Sequence, residues 1–318
     1  LSQLINVFFN LTKKQNMSLK SQEILVTQPS RNVTILNLPA GVKKVKYLLI
    51  SDLHWDNPKC DRVLLKEHLD QALKENVKVF INGDLFCLMQ GKGDPRHSKD
   101  EILPEHTNAR YLDSIVKTGA EWFAPYAEII EMVGYGNHET SVIRHQETDI
   151  LERFVERINT IANPKSKVNL GGYGGWIVTR FHQKLNTGKK AASYRHTIKY
   201  HHGYGGGGPV TKGTIQHQRE ATKIQGADVV WMGHVHEDYE LTYSYEYLDN
   251  LGNINHKDML MLRTPSYKEE YQDGFGGFHV ERGRPIKPLG GRWLELSLET
   301  ESKTRARYIR QYTYKTKQ

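Results

Sequence analysis

The chain has 318 residues, 38% of them apolar and 25% charged, proportions that exclude a disordered or collagen-like protein. Against 36 Asp and Glu stand 44 Lys and Arg, a net charge of +8 that biases the surface toward anionic partners without by itself specifying nucleic acid. No run of about 18 apolar residues occurs, so no membrane-spanning helix is expected; Cys60 and Cys87 stand in no metal or redox spacing, which predicts free thiols and a cytoplasmic setting.

The short apolar run Leu4 to Phe9 precedes Lys13 and Lys14, the reverse of the charge order in a secretory signal. Met17-Ser18-Leu19-Lys20 is a more conventional start, so residues 1–16 are expected to be a leader or to lie upstream of the natural start, with 17–318 forming one domain. Val45 to Ser51 reads as a strand covered on both faces, ending on Asp52-Leu53-His54. From Asp61 to Asn76 apolar residues recur at helical spacing, with Asp61 as N-cap. Val77 to Asn82 is a second buried strand, ending on Gly83-Asp84, and completes a βαβ unit.

Residues 88–108 are polar and carry Gly91, Gly93 and Pro95, the composition of an exposed loop or insertion. Helical periodicity returns from Tyr111 to Pro125. Ile129 to Val133 is a third buried strand and leads into Gly134-Tyr135-Gly136-Asn137-His138-Glu139, followed by an amphipathic helix from Ile150 to Ile161. Beyond 165 the texture changes to short Tyr-, Val-, Ile- and Thr-rich segments at 173–182, 194–202, 239–248 and 258–263, mostly antiparallel strands. One helix, Thr214 to Gln225, interrupts them before Gly226, and the buried strand Ala227 to Met232 ends on Gly233-His234-Val235-His236. Segments 292–299 and 304–314 close the chain as a β-rich basic hairpin. No fixed-period repeat or low-complexity block occurs.

Apolar strands thus end on Asp52 and His54, on Asp84, on Asn137 and His138, on His201-His202-Gly203, and on His234 and His236. Ligand crevices in open α/β sheets lie outside the carboxyl ends of the strands, so these groups should converge. Each motif alone is an ordinary turn, but five at the ends of apolar runs are jointly improbable as accidents. Carboxylate, imidazole and amide oxygen suit Mn, Fe, Co, Ni or Zn, and about seven donors are too many for one tetrahedral ion and right for two.

Asp52-Leu53-His54, Gly83-Asp84, Gly136-Asn137-His138-Glu139, His202-Gly203 and Gly233-His234-Val235-His236 resemble the ordered motif set of the calcineurin-like metallophosphoesterases, covering residues 45–240. The resemblance implies an α/β (α+β) fold, a four-layer α-β-β-α sandwich with two mixed sheets, and two divalent metal ions, of which manganese is the expected pair. Carried over by position, Asp52, His54 and His236 hold the first metal, Asn137, His202 and His234 the second, and Asp84 bridges them, with His201 as the alternative to His202. His138 is then the catalytic group, protonating the leaving oxygen or stabilising the transition state while metal-activated hydroxide attacks.

In the protein-phosphatase branch an Asp three residues after the bridging Asp orients the catalytic His; here that position is Cys87. Ser51-Asp52-Leu53-His54 and Gly83-Asp84-Leu85-Phe86 look more like the branch containing DNA-repair exonucleases. The expected function is a phosphodiesterase or nuclease acting on DNA, RNA or nucleotides. The alternatives are a phosphomonoesterase on small molecules or phosphoproteins, and an inactive metal-containing nucleic-acid-binding protein. Arg144 is a candidate phosphate contact, the run Gly205 to Gly208 can let backbone N–H groups approach a phosphate, and Lys303, Arg305, Arg307, Arg310, Lys315 and Lys317 interleave with tyrosines as a basic edge or a nucleic-acid surface.

Overall fold

Residues 23–89, 98, 101–183, 193–271, 280, 283, 285–300 and 307–315 are described by the computed structural model of the chain. The leader expected at 1–16 lies outside them, as do Lys303, Arg305 and Lys317. Two strands not anticipated from the sequence open the fold: β1 (Leu25–Ser30) and β2 (Val33–Asn37), paired antiparallel. The alternating burial of Val33-Thr34-Ile35-Leu36-Asn37 is their only signal, and it is short.

β3 (Lys44–Ile50) is buried on both faces: Tyr47 and Leu49 enter one core while Leu48 and Ile50 enter another. Strand period two divides them in this way. Helix α1 (Arg62–Lys74) starts where the Asp61 side chain accepts from Leu64 N at 2.9 Å, and β4 (Lys78–Asn82) pairs parallel to β3. The polar segment after β4 is less exposed than its composition predicts, since Leu88, Met89, Ile102 and His106 are buried; residues 90–97 lie outside the described part. Helix α2 (Tyr111–Phe123) runs through Gly119 unbroken, and the glycine lies so close to Phe86 that a side chain there would press on the ring. β5 (Ile130–Gly134) extends the parallel set, then α3 (Asn137–Gln146), α4 (Ile150–Ile161) and β6 (Asn169–Leu170) follow.

The second half supplies β7 (Gly174–His182), β8 (Ser193–His201), α5 (Thr214–Ala221), β9 (Val229–Met232), β10 (Tyr239–Leu248), β11 (Ile254–Arg263), β12 (Arg292–Thr300) and β13 (Arg307–Lys315). Helix α5 ends four residues earlier than its periodicity predicts: Lys223 and Ile224 donate to carbonyls three residues back, tightening the last turn.

Two mixed sheets result, one of order β1-β2-β7-β8-β9-β11-β10 and one of order β13-β12-β3-β4-β5-β6. Between them lies an apolar layer that includes Tyr47, Phe80, Phe181, Tyr200, Trp231 and Leu294. Helices α1, α2 and α4 cover the six-stranded sheet through residues such as Leu65, Phe123 and Phe154, and Ala221 of α5 packs on Val230 and Met261 of the other. The order of layers is therefore α-β-β-α, as expected. No helix among the described residues is long and apolar enough to cross a membrane.

Candidate metal centre

The carboxyl ends of β3, β4, β8 and β9 and the N-terminus of α3 meet at one place. Backbone bonds lock the first two connections together: Asp52 N donates to Gly83 O and His54 N to Asp84 O, both at 3.0 Å. Gly83 (φ +80°) and Gly136 are required here, because a side chain at Gly83 would collide with the His202 ring and one at Gly136 with the Asp84 carboxylate. Of the nine non-glycine residues with positive φ among the described residues, five are Asp52, His54, Asp84, His234 and His236, at 47–75°. Sparsely populated backbone of this kind costs about 1–3 kcal/mol per residue and persists where the surroundings impose it, typically at functional sites.

Two donor groups gather residues of the expected ligand set, Asp52–His54–His236 and Asp84–His202–His234, each with ligand atoms within 4.8 Å of one another, and a third such group, His54–Cys87–His138, overlaps the first at His54. In the first, Nε2 of His54 and Nε2 of His236 face each other at 3.4 Å, and Asp52 Oδ1 lies 3.5 Å from His236 Nε2. Asp52 Oδ1 is buried and makes no hydrogen bond, whereas Oδ2 accepts from Ser51 Oγ at 2.5 Å and His234 N at 2.9 Å. A buried carboxylate oxygen left open beside two facing imidazole nitrogens fits a cation.

In the second, Asn137 Oδ1 stands 3.2 Å from His202 Nε2 and 2.8 Å from His234 Nδ1. The opposite ring nitrogens are committed to carbonyls: His202 Nδ1 donates to Asn82 O at 2.8 Å and His234 Nε2 to Gly205 O at 2.9 Å. In neutral rings the lone pairs of His202 Nε2 and His234 Nδ1 therefore turn toward Asn137 Oδ1, with Asp84 Oδ2 3.2 Å from His202 Nε2. Acceptors converging on acceptors describe a cation site.

The charges agree. Burial opposes protonation of His202, yet the Asp84 and Asp52 carboxylates outweigh it and push its pKa up to about 10. Burial likewise works against ionised Asp84, but His202 and His138 hold it well below the usual carboxylate range. With protein groups alone the pocket draws in positive charge.

Supporting contacts hold the donors still. Trp231 Nε1 donates to Thr264 Oγ1 at 3.0 Å, Thr264 Oγ1 is 2.7 Å from Ser51 Oγ, and Ser51 reaches Asp52. Ser266 Oγ donates to Asp52 O at 2.6 Å, and the buried Arg263 donates to Gly233 O at 2.5 Å, next to His234. Glu139, fully buried, accepts from Asp84 N at 3.2 Å, Phe86 N at 3.0 Å and Gly136 N at 2.8 Å, clamping the β4 loop to α3. Burial, then the nearby Asp84 carboxylate, push Glu139 up to about 8.

His138 N donates to Asp84 Oδ1 at 3.0 Å, and its ring Nδ1 donates to the carbonyl oxygen of Cys87 at 2.5 Å. Its Nε2 lies 3.9 Å from Asp84 Oδ2 and its ring meets that of His54 edge-on at 4.9 Å. The backbone of Cys87, not its thiol, orients the imidazole; the thiol accepts from Asn57 at 3.2 Å, and burial pushes its pKa up.

Two sequence candidates stand outside both groups. His201 Nδ1 accepts from Gly203 N at 3.0 Å and its ring packs on Tyr173 and Tyr204, so the neighbouring His202 alone enters the cluster. Arg144 is exposed on α3, its Nε donating to Thr140 O at 3.2 Å. The basic edge is partly neutralised: Arg310 pairs with Glu299 at 3.2 Å. Contacts the sequence did not reveal are those of Glu139 with Asp84 N and Phe86 N, of Thr264, Ser266 and Arg263, and of Asp56, which accepts from Cys87 N; these partners lie far away in the chain.

No family model matches the chain, and no curated protein matches it. Among solved structures, one described as GAP50, the anchor in the inner membrane complex of Plasmodium, aligns at a TM-score of 0.42 and 10% identity, covering 87% of this chain and 90% of that one. The chain's own residues build two mixed sheets flanked by helices, with His and Asp clusters at the strand ends that could hold divalent metal ions.

Proposed function

We propose that this protein is a dinuclear-metal phosphoester hydrolase whose substrates are phosphodiesters of nucleic acid or nucleotides. The observation that carries the reading is the convergence of acceptor atoms around Asn137 Oδ1, His202 Nε2, His234 Nδ1 and Asp84 Oδ2, beside the open Asp52 Oδ1 and the facing His54 and His236 rings. Asp52, His54 and His236 would hold one divalent ion and Asn137, His202 and His234 the other, with Asp84 between them; manganese suits the donor set. Two such ions supply Lewis acidity for activating water and for offsetting charge on the phosphoryl oxygens.

The residues of the chain do the rest. Asp52 and Asp84 would supply the negative charge that two cations offset, and the carbonyl partners of His202 and His234 fix which nitrogen each ring offers. His138, held through Nδ1, presents Nε2 toward Asp84 and the site, from which a proton can pass to the leaving oxygen. The net charge of +8 favours a polyanionic substrate, and the two buried free cysteines suit the cytoplasm. Residues 17–318 are proposed to act as one domain, nearest in motif flavour to DNA-repair exonucleases.

The test is a product profile on single-stranded DNA, duplex DNA, RNA, a cyclic nucleotide and an aryl phosphate, each with manganese and with EDTA. Metal-dependent cleavage of a nucleic acid is expected. Hydrolysis of the aryl phosphate alone would replace the nuclease with a phosphomonoesterase. Salt-sensitive DNA binding with no hydrolysis, unchanged in an Asp84→Ala variant, would make the protein a binder.

A further inference from the structure

Asp56 lies two residues beyond His54 and is buried, with 2% of its surface exposed. Its carboxylate accepts two consecutive backbone N–H groups, Cys87 N on Oδ1 at 2.5 Å and Leu88 N on Oδ2 at 2.9 Å. Leu88 has φ +55°, the left-handed conformation in which successive N–H groups can turn toward one anion. Tyr111 Oη donates to the same Oδ2 at 3.4 Å, and the neighbouring Trp55 N donates to Leu85 O at 2.9 Å. The peptide around Cys87 is therefore pinned to the β3 connection, and the carbonyl of Cys87 meets His138 Nδ1 at 2.5 Å.

We propose that Asp56, through the Cys87 peptide, is the positioning residue for the His138 imidazole. The inference rests on the hydrolase reading and deepens it. A carbonyl oxygen only accepts, so Nδ1 keeps its hydrogen throughout and Nε2 is the nitrogen that exchanges a proton with the reaction. In the chemical step a water oxygen bonds to phosphorus and releases a proton to solvent while the ester P–O bond breaks; the departing oxygen keeps that bond's electron pair and takes the Nε2–H proton of the His138 imidazolium, leaving the ring neutral with hydrogen on Nδ1. Freed of Asp56, the 87–88 loop would let the carbonyl drift and the ring rotate, and proton transfer would suffer while metal binding, which uses other atoms, would not.

Leaving-group dependence separates this role from a merely structural one. A dinucleotide departs as an alkoxide that needs the proton; bis(p-nitrophenyl) phosphate departs as a stable anion that does not. Asp56→Asn is expected to lower kcat on the dinucleotide roughly 10- to 100-fold, to change the aryl ester less than about 3-fold, and to leave KM and bound metal unchanged. In a His138→Ala background Asp56→Asn should add nothing. Equal loss on both esters, or loss that persists without His138, overturns the inference. If His138→Ala itself leaves dinucleotide cleavage intact, the assigned role of His138 in the hydrolase reading fails instead. Should Asp56→Asn not fold, imidazole 15N shifts of the zinc-loaded wild-type protein decide: the Nδ1–H tautomer of His138 is expected, and the Nε2–H tautomer overturns the inference.

Discussion

The side-chain oxygen of Asn137 stands 2.8 Å from Nδ1 of His234, although the two residues come from the N-terminus of a helix and the end of a strand in the other half of the chain. The same oxygen is 3.2 Å from His202 Nε2. Asn137→Ala should therefore weaken one metal and spare the other. Metal analysis after dialysis is expected to fall from two ions per chain toward one, with Asp52→Ala emptying the opposite position. Full retention of both ions in Asn137→Ala would remove it from the ligand set.

His201 and His202 are adjacent, yet only His202 enters the cluster; His201 accepts from Gly203 N and packs between Tyr173 and Tyr204. His202→Ala should cost at least about 10-fold in metal affinity, the range seen when a ligand or its support is removed. His201→Ala should leave metal content and cleavage near those of wild type. The reverse ranking, read by metal titration, would exchange their roles.

Glu139 accepts from three backbone N–H groups, those of Asp84, Phe86 and Gly136. Removing a buried acceptor costs about 1–3 kcal/mol for each group left unsatisfied. Glu139→Ala should then lower unfolding free energy by about 3 kcal/mol or more in urea denaturation with EDTA present, and should loosen both Asp84 and His138. A loss below about 1 kcal/mol would show that water replaces the carboxylate.

These contacts explain what the sequence alone reveals. Asp52, Asp84, Asn137, His234 and His236 are visible because each directly follows a buried apolar strand, and strand ends in such sheets gather at one edge. The choice of His202 over His201 rests on its place directly before Gly203 in the motif set, not on periodicity, since β8 ends at His201. What orients His138 could not be read, because the partner is a backbone carbonyl and its anchor, Asp56, sits 31 residues from Cys87. β1 and β2 stayed hidden because short strands near a polar stretch carry little periodicity.

His217 gives a pH dependence away from the metal centre. Its Nε2 donates to Val230 O at 2.8 Å, and burial, reinforced by the neighbouring Arg263, lowers its pKa to about 3. The unfolded chain binds a proton near pH 6.5 that the folded protein refuses, so between pH 6.5 and about 3 unfolding takes up one proton at this residue. Stability contributed by neutral His217 is fully present above pH 6.5 and falls by about 1.4 kcal/mol per pH unit as pH drops through that window. In His217→Gln the folded protein starts less stable at pH 7.5, and the difference from wild type should shrink on acidification to pH 4.5. Urea melts at both pH values check the sign; a difference that widens in acid would mean that His217 is charged in the folded protein.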